Sequence, residues 1–520
     1  MTAESVRTPR THTLSLVARS SLLVAGFFAL DKGLGFLRQI IIGRQFGVSA
    51  ELDAFNAANN LPDLLFALIS GGALALALIP VLSETLNLQG RPSMWDLFSR
   101  IGNWAFLITA GLAIVTAVFA GPIVRSELGI APGFTPELQA LVVDLMRLNL
   151  IATLIFSLSG LVMAGLQANQ HFLLPAMAPV LYDIGQIFGA LVLAPTEGLA
   201  IGALRLPAAG MGVHGLVLGV IAGACLHLAI QIPGLLRYRF RWSPRLGLHH
   251  PGLRQVSRLL GPRILTIGAF NLIFIVQDNL ASRLGVGAVT ALAYGWLIMQ
   301  VPETIIGTAL GTVLLPTLSE HAARGDDQAF ESSLTRAARV LLAFSLPITV
   351  VLGIVIRPLV QAAFGFDAAG TDLVTWATRA YLLGLTGHSL LEVASRAFYA
   401  RKDARTPLLA SLLSTAVFIA AGIGLFRTLG APGIGLANSL AFTIEALLLL
   451  TLIGRRFPAV LRQGSVLLRM IAGSALGGVA AWAVMSSISS PLPGAIAASI
   501  VGGGIGLLFL LPEIRLLRSL

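Results

Sequence analysis

Charge is what this sequence has least of. Only 11% of its 520 residues are Asp, Glu, Lys or Arg, while 56% are apolar; a soluble domain carries roughly 25% charged residues. So little charge cannot cover a water-exposed surface, and a soluble fold is excluded. Cysteine is nearly absent: Cys225 stands alone in an apolar segment, which rules out a disulfide framework and a thiolate metal site. The signatures of soluble catalysis are missing too. There is no GxxxxGK[ST] loop, no HExxH, no paired CxxC and no GxSxG, and no loop is long enough for a separate catalytic domain. No catalytic residue, metal site or cofactor is expected, and the chain does not read as an enzyme.

What remains is apolar sequence in long runs. Fourteen segments reach the roughly 20 residues needed to span a bilayer, the first at 20–43, the second at 58–83 and the tenth at 373–397. They do not alternate as barrel strands must. The expected fold is an all-α polytopic membrane protein with 14 transmembrane helices. The polar start, followed by an apolar run broken at Asp31, reads as a first membrane helix and not a cleaved signal peptide. The run VGGGIG at 501–506 reads as close helix packing.

The net charge of +11 does not mark a nucleic-acid binder, because the bases sit in short loops between apolar segments. With the N-terminus in the cytoplasm, the outer loops receive only Arg44, Arg125, Arg205, Arg283, Arg357 and Arg427, and the inner loops take most of the other lysines and arginines. That bias puts both termini on the cytoplasmic side. The inner cluster at 237–258 is expected to lie along anionic lipid head groups.

Two echoes divide the chain. ALIPVLSE (77–84) is answered by VLLPTLSE (313–320), and LQANQHFLLP, ending at Pro175, by FYARKDARTP, ending at Pro407. The offsets are 236 and 232 residues, so two related halves of six helices each are expected, a parallel repeat about an axis along the membrane normal. The domains follow: an N-lobe at 1–236, a basic linker at 237–258, a C-lobe at 259–456, and two extra helices at 457–520. Two pseudo-symmetric six-helix lobes imply a central cavity and alternating access.

A charge in mid-bilayer costs about 2.5–3.5 kcal/mol and so marks function or a wet cavity. Lys32 and Arg38 lie deep in the first span and outnumber the adjacent Asp31; a cationic cavity suits an anionic head group, since arginine matches phosphate oxygens. Other buried charges have local explanations. Asp144–Arg147 and Glu392–Arg396 read as pairs along one helix, and His388 as a hydrogen bonder between helices. Arg263, after Gly261-Pro262, is either a cargo contact or a side chain snorkelling to the interface.

The stretches DKGLGFLRQIIIGRQFG, LDAFNAANNLPDLL, GGALALALIPVLSE, IIGTALGTVLLPTLSE and AFYARKDARTP resemble the MurJ/MviN family over essentially the whole chain. The resemblance implies an inner-membrane flippase for lipid II, the undecaprenyl-linked peptidoglycan precursor, with membrane lipids around it and cell-wall synthesis proteins as further partners. Carried over, Arg38 matches the arginine of the GF-x-R motif, Lys32 stands where the family has another arginine, and Asp53 matches the acid of the DAF motif. Asp278 matches a seventh-helix acid implicated in cation binding in some members. The substrate-binding set expected is Lys32, Arg38, Asp53, Arg263 and Asp278.

This chain departs from the family at Phe66 and Ala67, at Gly71 and at Leu297, where members carry charge, and residues 406–427 hold no Asn or Asp for a sodium site. Three other readings stay open at this point: a flippase for another undecaprenyl-linked oligosaccharide, a cation-coupled drug exporter, and a non-transporting scaffold.

Overall fold

A computed structural model describes residues 16–69, 73–198, 200–201, 204–247 and 251–517. Helix α1 (Leu16–Phe46) runs through Asp31, Lys32 and Arg38 without a break and stops at Gly47, whose φ of 62° an L side chain resists. Helices α2 (Ala50–Ile69) and α3 (Ala73–Gln89) share the second expected span. Then come α4 (Arg91–Arg125), α5 (Pro136–Ala168), α6 (Leu173–Phe188), which passes into a π turn at Gly189–Leu193, α7 (Val213–Ala229) and α8 (Ile232–Arg237). The second half begins with α9 (Pro251–Ser282). It continues through α10 (Ala288–Glu303), a π turn at Thr304–Thr308, α11 (Ala309–Arg324), α12 (Asp327–Phe364), α13 (Ala368–Leu382) and α14 (Leu385–Ala400). Helices α15 (Arg405–Leu429), α16 (Ala431–Gly454), α17 (Gly464–Ser487) and α18 (Pro491–Leu517) complete the chain. The one sheet among the described residues is a two-stranded antiparallel pair, Ala200–Ile201 with Leu204–Arg205, in the turn between α6 and α7.

The chain is a multi-pass membrane protein. Ten helical segments among the described residues are long and apolar enough to cross a bilayer. The other four expected spans fall on α1, α2–α3, α9 and α13–α14. Helix α1 carries charge in its middle, and the tenth expected span is divided between α13 and α14. For α13–α14 the break is at Gly384, where a Cβ would lie 2.7 Å from the Cα of Ser439.

The repeat seen in the sequence recurs in the backbone. Gln170 and Lys402, 232 residues apart, are both non-glycine residues at positive φ, 59° and 63°. Each closes a helix in the same way: His171 N–H donates to Leu166 and Asp403 N–H to Phe398, the six-to-one bond of a Schellman turn. Arg239, at φ 53°, ends α8 in the same way, with Phe240 N–H donating to Leu235, so the echo shares a helix ending that this chain uses again. The fold is built of helices throughout, apart from that short strand pair.

The chain packs as two units, and these do not follow the sequence halves. One holds Met1–Gln39, Ile69–Ala110 and Ile151–Arg258; the other holds Ile40–Leu68, Gly111–Leu150 and Leu259–Leu520. In the first unit, Gly185 and Gly189 of α6 meet Gly223 and Gly219 of α7 so closely that a Cβ at Gly185 would lie 2.3 Å from the Cα of Gly223. This small-residue stripe drives helix contact where lipid leaves no hydrophobic force between helices. The basic segment after α8 is strapped along α4: Trp95 donates to the carbonyl of Tyr238, Asn103 to Ser243 and Trp104 to Leu246.

In the second unit the main core gathers Leu318, Phe330, Leu341, Val393 and Phe457 from α11, α12, α14 and the turn after α16. Helices α17 and α18 pack on each other and on α12. The glycine run divides there: Gly502 lies against the carbonyl of Gly477 and Gly506 against Pro347, whereas Gly503 and Gly504 face open space. We expect Gly477→Leu to separate α17 from α18 and lower the melting temperature of the purified chain, at about the 1–3 kcal/mol of an overpacked site, while Gly503→Ala leaves it unchanged.

Elsewhere in this unit Asp327 accepts from Arg456 at 2.8 Å and Arg401 at 3.4 Å. The hydrogen bond from Arg456 is the main reason its carboxyl sits below the ordinary carboxylate range. A depressed folded value means the clamp contributes above the unfolded carboxylate pKa, about 3.9, and is lost as pH falls through the folded value. The melting temperatures of wild type and Asp327→Asn, followed against pH, are therefore expected to differ by a constant amount near neutrality and to converge in acid.

Candidate functional site

Three groups of buried charge are candidates. The first lies in the first unit, on α1 and α6. Arg38 donates from Nη1 to Oδ1 of Asp183 at 2.7 Å, and both side chains are largely buried, 18% and 5% exposed. Gly35, one turn before Arg38, lies beside the same carboxylate: a Cβ there would stand 3.5 Å from it, at ordinary contact distance. The Arg38 Nε is buried with no partner. Lys32 is 77% exposed and lies 3.3 Å from Asp31, and Asp183 also feels the charges of Asp31 and Lys32. The sequence suggests two bases against one acid; the fold supplies a second acid, so the cluster holds two of each. Asp183 is visible in the sequence as an acid inside the fifth span, but only the packing of α6 on α1 gives it a partner.

The second group lies wholly in the second unit and joins the first sequence half to the second. Helix α10 opens at Gly287 with no Ser, Thr, Asp or Asn of its own to cap it. The cap comes from elsewhere in the chain. Asp53 of α2, fully buried, accepts from the backbone N–H of Gly287 and, at 2.7 Å, from that of Thr290. A carboxylate at a helix N-terminus satisfies orphan donors and complements the helix dipole. Gly287 itself is at φ 91°, and a Cβ there would strike Val48 at 2.3 Å. The uncapped start of α10 was the signal in the sequence that its cap would be distant.

Around this contact runs a belt of polar bonds. Asn60 donates to Asp278, and Asn56 to Thr290 at 3.4 Å. Arg44 donates to the carbonyls of Ala362 and Ala363 at the end of α12. Asn279 donates to the carbonyls of Glu127 and Gly129, and Arg283 to the Glu127 carboxylate at 2.8 Å. Asp278 thus belongs to the belt. Among the described residues no three His, Cys, Asp or Glu side chains are grouped as metal ligands.

The third group, also in the second unit, lines a cavity of about 600 Å³. Glu303 sits where α10 enters its π turn and accepts from Thr308 Oγ1 at 3.2 Å; such turns are frequent at functional sites. Arg396 is bound by Glu392, as expected, in space left by Gly311. Glu445 completes the polar wall. His388 bonds Asn438 at 3.1 Å, a contact between helices as expected. Glu303 and Glu445 were visible as in-span acids without a partner.

Of the five sequence candidates, Lys32 and Arg38 share the first group, and Asp53 and Asp278 share the second. Arg263 lies on α9, but its side chain falls outside the described residues.

A family model described as lipid II flippase MurJ matches residues 42–498. A lipid II flippase MurJ from Burkholderia cenocepacia is 31% identical over 453 residues, 83% of this chain and 82% of that protein. A probable lipid II flippase MurJ from Rhizobium meliloti is 27% identical over 497 residues, 93% and 89% of the two chains. Among solved structures, a lipid II flippase MurJ in an inward closed conformation superposes with a TM-score of 0.77 at 21% identity, covering 96% of this chain and 100% of that one. An inward-facing multidrug resistance MATE family transporter of the MOP superfamily gives 0.69 at 14% identity, over 83% and 95%. These likenesses speak to the fold.

The belt makes its own forecast. Asp53→Ala strands two buried N–H groups, a loss of about 1–3 kcal/mol, and loosens the start of α10. A cysteine placed at the buried Val289, in a Cys225→Ser background, is expected to label several-fold faster with a water-soluble thiol reagent when Asp53 is alanine, and at an intermediate rate when it is asparagine.

Proposed function

This chain belongs to the MurJ family of lipid II flippases, and from that premise we propose that it carries lipid II from the inner to the outer leaflet of the cytoplasmic membrane by alternating access. It is a transporter of a lipid-linked substrate and not a catalyst. The lobes at 1–236 and 259–456 are the moving parts, the segment 237–258 links them, and both termini lie in the cytoplasm.

The observation that carries this reading is the belt centred on Asp53. It ties the first half of the sequence to the second at the ends that the arginine bias assigns to the outer face. Closure there leaves the cargo's entry to the inner side. Release outward then requires Asp53 to leave the N-terminus of α10 and Asn60 to leave Asp278. Both bonds are between polar groups that water can satisfy once the gap opens, so the closed state is held firmly yet reversibly.

Cargo recognition falls to Lys32 and Arg38, with Arg263 as a further contact. The head group's phosphates compete with Asp183 for the Arg38 guanidinium. The exchange keeps a charge-assisted bond on Arg38 at each stage, and the displaced Asp183 is left to the positive charge of Lys32, which it already feels. The even balance of acid and base around Arg38 favours a second reading, a head group less charged than that of lipid II on the same undecaprenyl carrier.

Complementation of a strain depleted of its lipid II flippase separates the two readings, and a head-group accessibility assay in reconstituted vesicles separates both from a non-transporting scaffold. In either assay Arg38→Ala is expected to lower transport at least about tenfold, the worth of one charge-assisted hydrogen bond, with the protein inserted at normal levels. Undiminished transport by that variant removes Arg38 from the substrate path.

A further inference from the structure

On the second unit, between α12, α13 and the α15–α16 turn, lies a groove of about 710 Å³. Its walls are apolar, including Leu383, Leu429 and Leu436, and its single charged lining group is Arg379. The groove has no part in the belt or in the acidic cavity.

Arg379 is half-buried and has been left available. Its Nε donates to the carbonyl of Gly353 at 2.8 Å, and its guanidinium lies 4.7 Å from the centre of the Trp376 ring. Those two contacts fix the plane of the group without neutralising it. Among the described residues no carboxylate stands within ion-pair distance. The acid whose charge it feels, Asp372, is taken by Arg357 at 2.6 Å.

The position is that of a membrane interface. Thr428, Leu429 and Pro432 of the α15–α16 turn line the groove, at the end assigned to the outer face by the arginine bias. Trp376 is 56% exposed and Leu383 64% exposed; tryptophan collects at head-group level, with an apolar body and a polar tip. Long side chains on a helix lean toward its N-terminus, which carries the Arg379 guanidinium outward from its own Cα. The floor is Gly353, above which there is open space for a hydrocarbon chain.

We propose that this groove is a binding site for an anionic membrane phospholipid, its phosphate held by Arg379 and its acyl chain laid over Gly353 against Leu383, Leu429 and Leu436. Hydrocarbon fills any apolar groove open to a bilayer; the fixed guanidinium is what turns loose contact into a site. Charge selects the occupant. One unpaired guanidinium balances the single negative charge of a phosphodiester, whereas a pyrophosphate-linked lipid would bring more charge than the groove can match. The site depends on the chain lying in a bilayer and not on the identity of its cargo.

The test is native mass spectrometry of the full chain in detergent, titrated with phosphatidylglycerol and, in parallel, with phosphatidylcholine and a polyprenyl pyrophosphate. Wild type is expected to retain one phosphatidylglycerol preferentially. Arg379→Gln should weaken that retention about fivefold, the usual effect of one basic residue on an anionic lipid, and Arg379→Lys should weaken it less. Gly353→Leu, which fills the floor without touching the charge, should weaken phosphatidylglycerol and phosphatidylcholine alike. Melting temperatures check that each variant is folded, and the two substitutions act on different helices. Equal retention by wild type, Arg379→Gln and Gly353→Leu overturns the site. Equal affinity for phosphatidylcholine overturns the role of the charge, and preference for the polyprenyl pyrophosphate overturns the choice of occupant.

Discussion

A carboxylate buried at the start of a helix organises what can be said about this protein. Asp53 takes the place of a local cap on α10, bonding two backbone N–H groups more than two hundred residues away. The geometry is unforgiving: Gly287 must hold a positive φ and must also lack a side chain to let Val48 in. Around that point the remaining bonds of the belt, from Arg44, Asn60, Asn279 and Arg283, fall between groups of opposite polarity and hold the two sequence halves together. The low dielectric that makes such bonds strong also makes their loss costly unless water replaces them.

Descent and packing divide the chain differently. The halves related by sequence carry matching turns at Gln170 and Lys402, a sign that each half folds by the same local rules. The packing units instead group residues 40–68 and 111–150 with most of the second half. Both divisions are real. The repeat reflects which residues specify each turn, and the units reflect which surfaces are pressed together in this state of the molecule.

The charges inside the membrane follow a common rule of partnership, with instructive exceptions. Arg38 has Asp183, Arg396 has Glu392, and Asp278 has Asn60. The first of these changes the character of the first unit, because a cluster expected to be cationic is balanced by an acid from α6. Lys32 and Arg379 keep much of their charge available, one exposed and the other fixed against an aromatic face. A base that stays unpaired in such surroundings is either at the water boundary or waiting for an anion that is not part of the chain.

The sequence alone determined the class of fold, the repeat and the local ion pairs. These depend on composition, on hydrophobic run length and on partners within a turn or two. One of the two echoes, at an offset of 232 residues, carries matching turns, and Glu392–Arg396 needed only helical spacing to be foreseen. Tertiary structure decided everything that rests on long-range partners: that Asp183 meets Arg38, that Asp53 caps α10, that Asp278 belongs to a belt, and that Arg379 is left over. The reason is physical. A residue's type fixes the cost of burying it, but which group meets that cost depends on which helix faces arrive beside it, and helix faces in lipid are matched by small-residue contacts and polar bonds that leave little trace in local pattern.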